Sequence, residues 1–212
     1  WTGPDGGDSY SSPHLVSIDG VEQVLLASRE NIISISPGSG EELWRHDWQG
    51  GTRIVQPALI DGADLLVSQG NTTGIRRVAV VQGPTGWATE ERWTSNRLKP
   101  YFSDFVIHEG NAYGFAGHIP ASIELEAGER NRKGGRYGSG QPNLPADQDL
   151  LLAITEKGGL ALVSATPESF RELARFPALT GKTWNHPVTV GNLLLVRNSE
   201  EMAAFRLVPA GS

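Results

Sequence analysis

Short apolar runs alternate with polar, glycine-containing turns along the whole chain, and this pattern repeats. It is clearest in residues 182–198, KTWNHPVTVGNLLLVRN, where a polar start containing an aromatic residue precedes one apolar run, a tight turn and a second apolar run. Apolar runs of about four to eight residues bounded by turn residues are typical of β-strands. The stretch therefore predicts two adjacent strands, which is half of a four-stranded sheet.

Four earlier copies of this layout begin at Ser9, Arg53, Lys99 and Arg136. The turns of the five copies lie at Gly20, Gly62, Gly110, Gln148 and Gly191, so successive turns are 42, 48, 38 and 43 residues apart. A period of about 40–50 residues with several strands in each unit is typical of a β-propeller. The sequence therefore predicts an all-β fold, a β-propeller of four-stranded antiparallel blades.

The repeats predict four complete blades and one three-stranded blade within a single propeller domain or half-propeller spanning residues 1–212. Their approximate bounds are 10–48, 53–93, 99–134, 136–177 and 182–208. Residues 167–174 could also form an amphipathic helix, but the repeat favours a strand there. A larger ring is expected, because an isolated half-ring would expose two apolar sheet faces.

Charge and composition exclude several classes of protein. The net charge of −6 disfavours a nucleic-acid binder, which normally presents a basic surface to phosphates. Cysteine is absent, so no disulfide or thiolate metal site is expected. The five histidines show no HxH or HExxH spacing, which argues against a zinc site, and no apolar run approaches the roughly 20 residues of a transmembrane helix.

The segment ISPGSGEELWRHDW, residues 35–48, resembles the quinoprotein-type repeat signature, in which a glycine turn is followed by a Leu-Trp pair. In this interpretation Gly40 forms the turn and Trp44 wedges between neighbouring sheets. The whole chain resembles the C-terminal half of the PQQ-binding-like β-propeller family, which includes quinoprotein dehydrogenases and BamB-type outer-membrane assembly scaffolds. The resemblance implies an extracytoplasmic, periplasmic bacterial setting, and a PQQ and calcium site in the enzymatic members.

In a propeller, the starts of the first strands converge on the central channel. Candidate binding residues are therefore sought just before the first strand of each repeat. Convergent polar and aromatic groups are what a small-ligand pocket requires. Three of them are cations that could hold a carboxylate by charge-assisted hydrogen bonds. The candidates are Arg53, Gln56, Lys99, Tyr101, Asp104, Arg136, Gln141, Trp184, Asn185 and His186.

An alternative is that the same residues cap strand ends or pair with one another, Asp104 with Lys99 or Arg53. His186 fits a hydrogen-bonded structural histidine better than a base. Ser12, His186 and Asp104 could form a hydrolytic triad, although no GxSxG nucleophile elbow is present. The basic cluster of Arg130, Arg132, Lys133 and Arg136 favours a solvated edge strand over a nucleic-acid patch.

These observations predict a non-catalytic scaffold that binds a protein, a second copy of itself as a homodimer, or a small anionic ligand at the strand starts. One alternative is a PQQ-dependent, quinoprotein-like oxidoreductase fragment that needs PQQ and calcium. The other is a hydrolase or lyase that uses the channel. Neither a cofactor nor a metal site is expected for the scaffold.

Overall fold

The computed structural model describes residues 1–3, 7–70 and 73–207, and every regular element in these ranges is a strand except the 3-10 helix Ala146–Gln148. The segment Asn71-Thr72-Thr73 matches the N-glycosylation pattern, and two of its residues lie outside these ranges, as does the end of the fifth predicted repeat. The chain divides into two compact units, Trp1–Phe102 and Ser103–Ser212, which are described separately below. Among the described residues, no helix has the length and apolar character to cross a membrane.

The first unit contains two four-stranded antiparallel sheets, each a meander in chain order. Sheet 1 is formed by β1 His14–Ile18, β2 Val21–Ala27, β3 Asn31–Ile35 and β4 Glu42–Asp47. Sheet 2 is formed by β5 Ala58–Ile60, β6 Asp64–Ser68, β7 Ile75–Gly83 and β8 Gly86–Ser95.

The second unit contains three further antiparallel meanders. Sheet 3 is formed by β9 Val106–His108, β10 Asn111–Ala116, β11 Ile119–Glu124 and β12 Arg130–Lys133. Sheet 4 is formed by β13 Gln141–Asn143, β14 Leu150–Ile154, β15 Gly159–Ser164 and β16 Glu172–Pro177. Sheet 5 has three strands, β17 Val188–Val190, β18 Leu193–Arg197 and β19 Met202–Arg206. The predicted count of four complete sheets and one of three strands is confirmed, and residues 172–177 form a strand rather than a helix.

The turns between first and second strands explain the sequence period. In sheet 1, Asp19 and Gly20 have φ values of 49° and 77°, the left-handed pair that a tight hairpin requires. Sheets 2 and 3 repeat this conformation with Asp61-Gly62 and Glu109-Gly110. In sheet 4 the helix at 146–148 lengthens the turn, and the left-handed residue is Asp149, one position after the Gln148 that the spacing predicts.

Apolar side chains from both sheets of the first unit form one core. Val16 and Ile18 of β1 belong to the same buried cluster as Leu65 and Val67 of β6. Trp44 joins this cluster, and its indole N–H donates to Gln23 Oε1 at 2.7 Å. The prediction that Trp44 wedges between neighbouring sheets is confirmed, and the buried glutamine satisfies its polar group.

The inner strands of sheet 4, β14 and β15, are buried on both faces, whereas the outer strand β16 is exposed. Successive strand residues point to opposite faces, so Leu151 and Ala153 join a cluster with Tyr113 and Phe115 of sheet 3. Their neighbours in β14 join another cluster with sheet 5, which contains Leu152, Ile154, Leu194 and Val196. This double burial explains why β14 reads as the unbroken apolar run LLLAI rather than as an alternating pattern.

One face of sheet 5 packs against sheet 4, and its other face exposes apolar side chains. Val190 is 62 % exposed and Met202 is 73 % exposed, and Val188 and Leu193 on the same face are also open to solvent. The register pairs Val190 with Leu193, which makes these side chains neighbours. This face, the sheet 5 outer face, also carries the exposed Arg206 opposite Leu193 and the exposed Arg197 opposite Met202, so its apolar patch is edged by two cations.

Arg132 of β12 differs from the predicted solvated edge. It is buried, and its guanidinium donates to the carbonyl oxygens of Ser164 at 2.7 Å and Ser169 at 3.0 Å. The group also lies 5.2 Å from the Tyr113 ring centroid. A buried charge needs such partners, so Arg132 joins sheet 3 to sheet 4.

His46 of β4 is buried within a polar network of the first unit. Arg76 can only donate, so His46 Nε2 accepts its hydrogen bond at 3.2 Å and Nδ1 is left to donate to Thr89 Oγ1 at 3.3 Å. Burial, and next the charge of Arg76, lower the pKa of His46 below its usual value. The folded state therefore holds a neutral imidazole.

This lowered pKa predicts a loss of stability in mild acid. The unfolded chain takes up a proton below about pH 6.5 that folded His46 resists, so the free energy of unfolding should be constant above that pH and fall below it. Urea unfolding between about pH 7 and pH 5 measures the slope, which His46→Gln should reduce. His118→Gln, at an exposed histidine, is the control. An unchanged slope in His46→Gln would contradict this assignment.

Candidate functional site

The strand starts of neighbouring sheets are bonded to each other within each unit. In the first unit, the backbone N–H of Tyr10 donates to Arg53 O at 3.1 Å. Gln56 Nε2 reaches back to the carbonyl oxygens of Ser12 and Pro13, each at 3.3 Å. The convergence of strand starts that the repeat predicts is therefore present between sheets 1 and 2.

In the second unit, Gln141 joins the strand starts of three sheets. Its side-chain oxygen accepts the backbone N–H of Asp104 at 2.9 Å, and its amide nitrogen donates to Trp184 O at 3.1 Å. Gln141 is only 2 % exposed. Its amide therefore fixes the backbone of this site and offers little surface to a ligand.

Asp104 and His186 form a pair beside this buried amide. His186 Nε2 lies 3.4 Å from Asp104 Oδ2, and the other carboxylate oxygen accepts the backbone N–H of Phe105 at 2.8 Å. Both side chains remain open to water. Asp104 is thus paired with His186, a partner other than the Lys99 and Arg53 that the sequence suggests.

Trp184 is the exposed aromatic group of the site. Its ring is 42 % exposed, and Lys182 Nζ lies 3.4 Å from the ring centroid, within the range of a cation–π contact. The indole N–H donates to Glu156 Oε1 at 3.1 Å, which fixes the orientation of the ring. Half-buried Asn185 lies between Trp184 and His186 in the chain.

Glu156 is a residue that the sequence pattern does not reveal. It follows the apolar strand β14 in a turn, where an acidic residue is unremarkable. In the structure its second oxygen accepts the backbone N–H of Ser139 at 3.3 Å. Gly138, at φ 67°, leaves space for this carboxylate, because a Cβ there would lie 2.4 Å from Glu156 Oε2.

Arg53 is buried rather than open to a ligand. Its guanidinium donates to the carbonyl oxygens of Ser28 and Trp48, and it lies 5.4 Å from the centroid of the Trp48 ring. Burial, and next the charge of Arg76, lower the pKa of Arg53 to about 10. The role of this cation is to bind backbone carbonyls at the strand starts.

The remaining candidates keep different degrees of exposure. In the first unit, Lys99 is half-buried, and the Tyr101 ring covers Gly70, where a Cβ would lie 2.8 Å from the ring. In the second unit, Arg136 is exposed. Within the described residues, the side chains of Lys99 and Arg136 have no hydrogen bond or ion pair. The anionic-ligand hypothesis therefore retains these two cations.

Two cavities within the described residues differ in size, and neither is lined by a charged candidate residue of the strand starts. A cavity between sheets 3 and 4 encloses about 20 Å³ and is lined largely by apolar side chains, including Phe115 and Leu151. This volume suits about one water molecule. A larger space of about 260 Å³ beside sheet 1 is lined by small and apolar residues, among them Ser9, Ser11 and Ile33.

The oxygen-bearing side chains at the described strand starts do not fit a calcium site for PQQ. Calcium prefers six to eight oxygen ligands. Asp104 faces a histidine nitrogen and a backbone N–H, and the Gln141 oxygen is occupied by another N–H. Asp104 and Gln141 therefore do not form the cage of oxygen ligands that a calcium ion beside PQQ requires.

Antiparallel meanders of three or four strands, packed on their chain neighbours within each unit, are typical of the β-propeller class, and comparison with solved structures supports this class. The chain is similar to BamB from Moraxella catarrhalis, with a TM-score of 0.67 and 15 % identity. It is also similar to the computationally designed Ika8 protein, with a TM-score of 0.68 and 9 % identity, and to a chain of the mitotic checkpoint complex, with 0.68 and 12 %.

These similarities cover 92–97 % of this chain but only 60–64 % of the matched chains. At such low identity they establish the fold alone, and the fold is the one that the repeat predicts. No family model matches the sequence, and no curated protein matches it.

The bridging role of Gln141 predicts a large cost for its removal. In Gln141→Leu, the buried N–H of Asp104 and the carbonyl of Trp184 lose their partner, and the free energy of unfolding should fall by about 1–3 kcal/mol. Urea unfolding measures this change. The control is Gln56→Leu, at an exposed glutamine just before β5, which should cost less than about 1 kcal/mol. Equal costs would contradict the bridging role.

Proposed function

We propose that this chain is a non-catalytic β-propeller scaffold that binds a protein partner at the strand starts of its second unit. The observation that carries the proposal is Trp184, an exposed aromatic ring whose orientation is held by Glu156 and Lys182. Tryptophan is enriched among the residues that dominate binding energy in protein interfaces.

The surroundings of Trp184 suit an interface. A ring that is already fixed loses little rotamer freedom on binding, so its burial contributes more to affinity. Asp104, Asn185 and His186 provide polar groups beside the ring, which matches the apolar anchor and polar rim of such interfaces. Their backbone is fixed by the buried amide of Gln141.

The geometry favours binding over catalysis. The Asp104–His186 pair is open to water, whereas a general base works best when it is aligned with a nucleophile in a desolvated site. Within the described residues of the second unit, His186 has no hydrogen bond to a serine or threonine hydroxyl. The proposed role of the pair is therefore to hydrogen-bond a partner.

Removal of the Trp184 ring should weaken binding strongly. Peptides selected from a displayed random library on the immobilised chain should bind Trp184→Ala about 30-fold less tightly, which is the loss expected for a dominant interface residue. Fluorescence anisotropy with the labelled peptides measures both affinities.

Trp1→Ala provides the matched control, because Trp1 is also an exposed tryptophan but lies in the first unit. Its affinity for the same peptides should be unchanged. Circular dichroism should confirm that both variants keep their sheets. Peptides that bind Trp184→Ala as tightly as the original chain would contradict the proposal.

A second copy of the chain is the partner that the sheet 5 outer face favours. Exposed apolar surface is typical of association sites, and here Val188, Val190 and Leu193 provide it, with Met202 on the same face beside Arg197. We propose that two copies associate through this face.

The extracytoplasmic bacterial setting rests on the family resemblance and stays a prediction.

A lysine in the sheet 5 outer face should prevent this association. Light scattering after size exclusion should give the mass of a dimer for the original chain and of a monomer for Val190→Lys, because burying the added charge is costly. Val81→Lys is the control, since Val81 is an exposed valine in sheet 2. A monomer of the original chain at all accessible concentrations would exclude the second copy as partner.

A further inference from the structure

Three metal-ligating side chains meet at the hairpin ends of sheets 3 and 4, away from the strand starts. His108 is the last residue of β9, Glu109 follows it in the turn, and Asp149 directly precedes β14. One ligand atom from each of the three lies within 4.8 Å of the other two. The shortest contact is 2.7 Å between His108 Nε2 and Asp149 Oδ1.

His108 stands where three of the other four sheets have an aliphatic residue, the exception being Asn143 in sheet 4. The last residue of the first strand is Ile18 in sheet 1, Ile60 in sheet 2 and Val190 in sheet 5. The His108 side chain is only 12 % exposed, so an imidazole occupies a position that suits an apolar group. Its Nε2 lies 2.7 Å from Asp149 Oδ1, a hydrogen bond that a metal ion bound by both groups would replace.

The two carboxylates are brought to this point by backbone geometry. Glu109 and Asp149 have φ values of 44° and 52°, so both lie at left-handed corners. The Glu109 carbonyl accepts from Asn111 Nδ2 at 2.7 Å, and the Asp149 carbonyl accepts from Ala165 N at 2.8 Å. Two negative groups held this close repel each other, and a cation between them removes the repulsion.

We propose that His108, Glu109 and Asp149 bind one divalent transition-metal ion such as Zn²⁺. Zinc takes imidazole nitrogen and carboxylate oxygen at about 2.0–2.2 Å, and three protein ligands leave one position for water. Magnesium and calcium prefer all-oxygen shells with more ligands, so the imidazole selects against them. The carboxylates are exposed, so their side chains can close around the ion without moving the core.

Isothermal titration of the full chain with zinc chloride tests this site. The original chain should bind one zinc ion at this site, and Asp149→Asn and Glu109→Gln should each weaken binding by at least about tenfold. Both variants preserve side-chain size, and asparagine tolerates the left-handed conformation of position 149, so the fold should be retained. Magnesium chloride should give no comparable binding.

The control is Asp104→Asn at the other histidine–carboxylate pair, which has two groups instead of three. Its zinc affinity should equal that of the original chain, and the ring ¹⁵N signals of His108, not those of His186, should shift on zinc addition. Absence of zinc binding at millimolar concentration, or equal affinity in Asp149→Asn, would overturn the proposal. Trp184→Ala should leave zinc binding unchanged. The protein-binding proposal and the zinc-site proposal are therefore tested independently.

Discussion

Burial of both faces of the inner strands of sheet 4 is the constraint on which the second unit depends. Because side chains alternate across a strand, Leu151 and Ala153 can pack on sheet 3 while Leu152 and Ile154 pack on sheet 5. The inner faces of sheet 4 are thereby occupied mainly by apolar contacts, and the polar groups of the candidate site lie at the strand starts.

The strand ends must also satisfy their own backbone. Gln141 and Arg53 serve that purpose, since one bridges an N–H and a carbonyl and the other binds two carbonyls. These residue types suit ligand binding equally well, and only their burial distinguishes the two roles. The groups of the site that a partner can contact are therefore the exposed Trp184 and the partly exposed Asp104 and His186.

The strands and their order could be predicted from the sequence because apolar runs and turn residues are local signals. The position of Trp44 in the core followed from its spacing after Gly40. The roles of Arg53 and Arg132 could not be predicted, because a buried arginine and a solvated one have the same local pattern, and only the carbonyls of distant segments separate them. Glu156 and the grouping of His108 with Asp149 likewise depend on contacts between repeats.

The hairpin ends contain residues in the left-handed conformation, where a new binding side chain can be introduced at little cost in stability. These residues are Asp19, Asp61, Glu109 and Asp149. Each corner needs a residue that tolerates its backbone conformation, and otherwise leaves the exposed side chain free to change. A substitution there leaves the packed faces intact, whereas a substitution inside β14 disturbs two interfaces at once. Evolution can therefore revise the hairpin ends one residue at a time, while the faces of the sheets must change together or remain as they are.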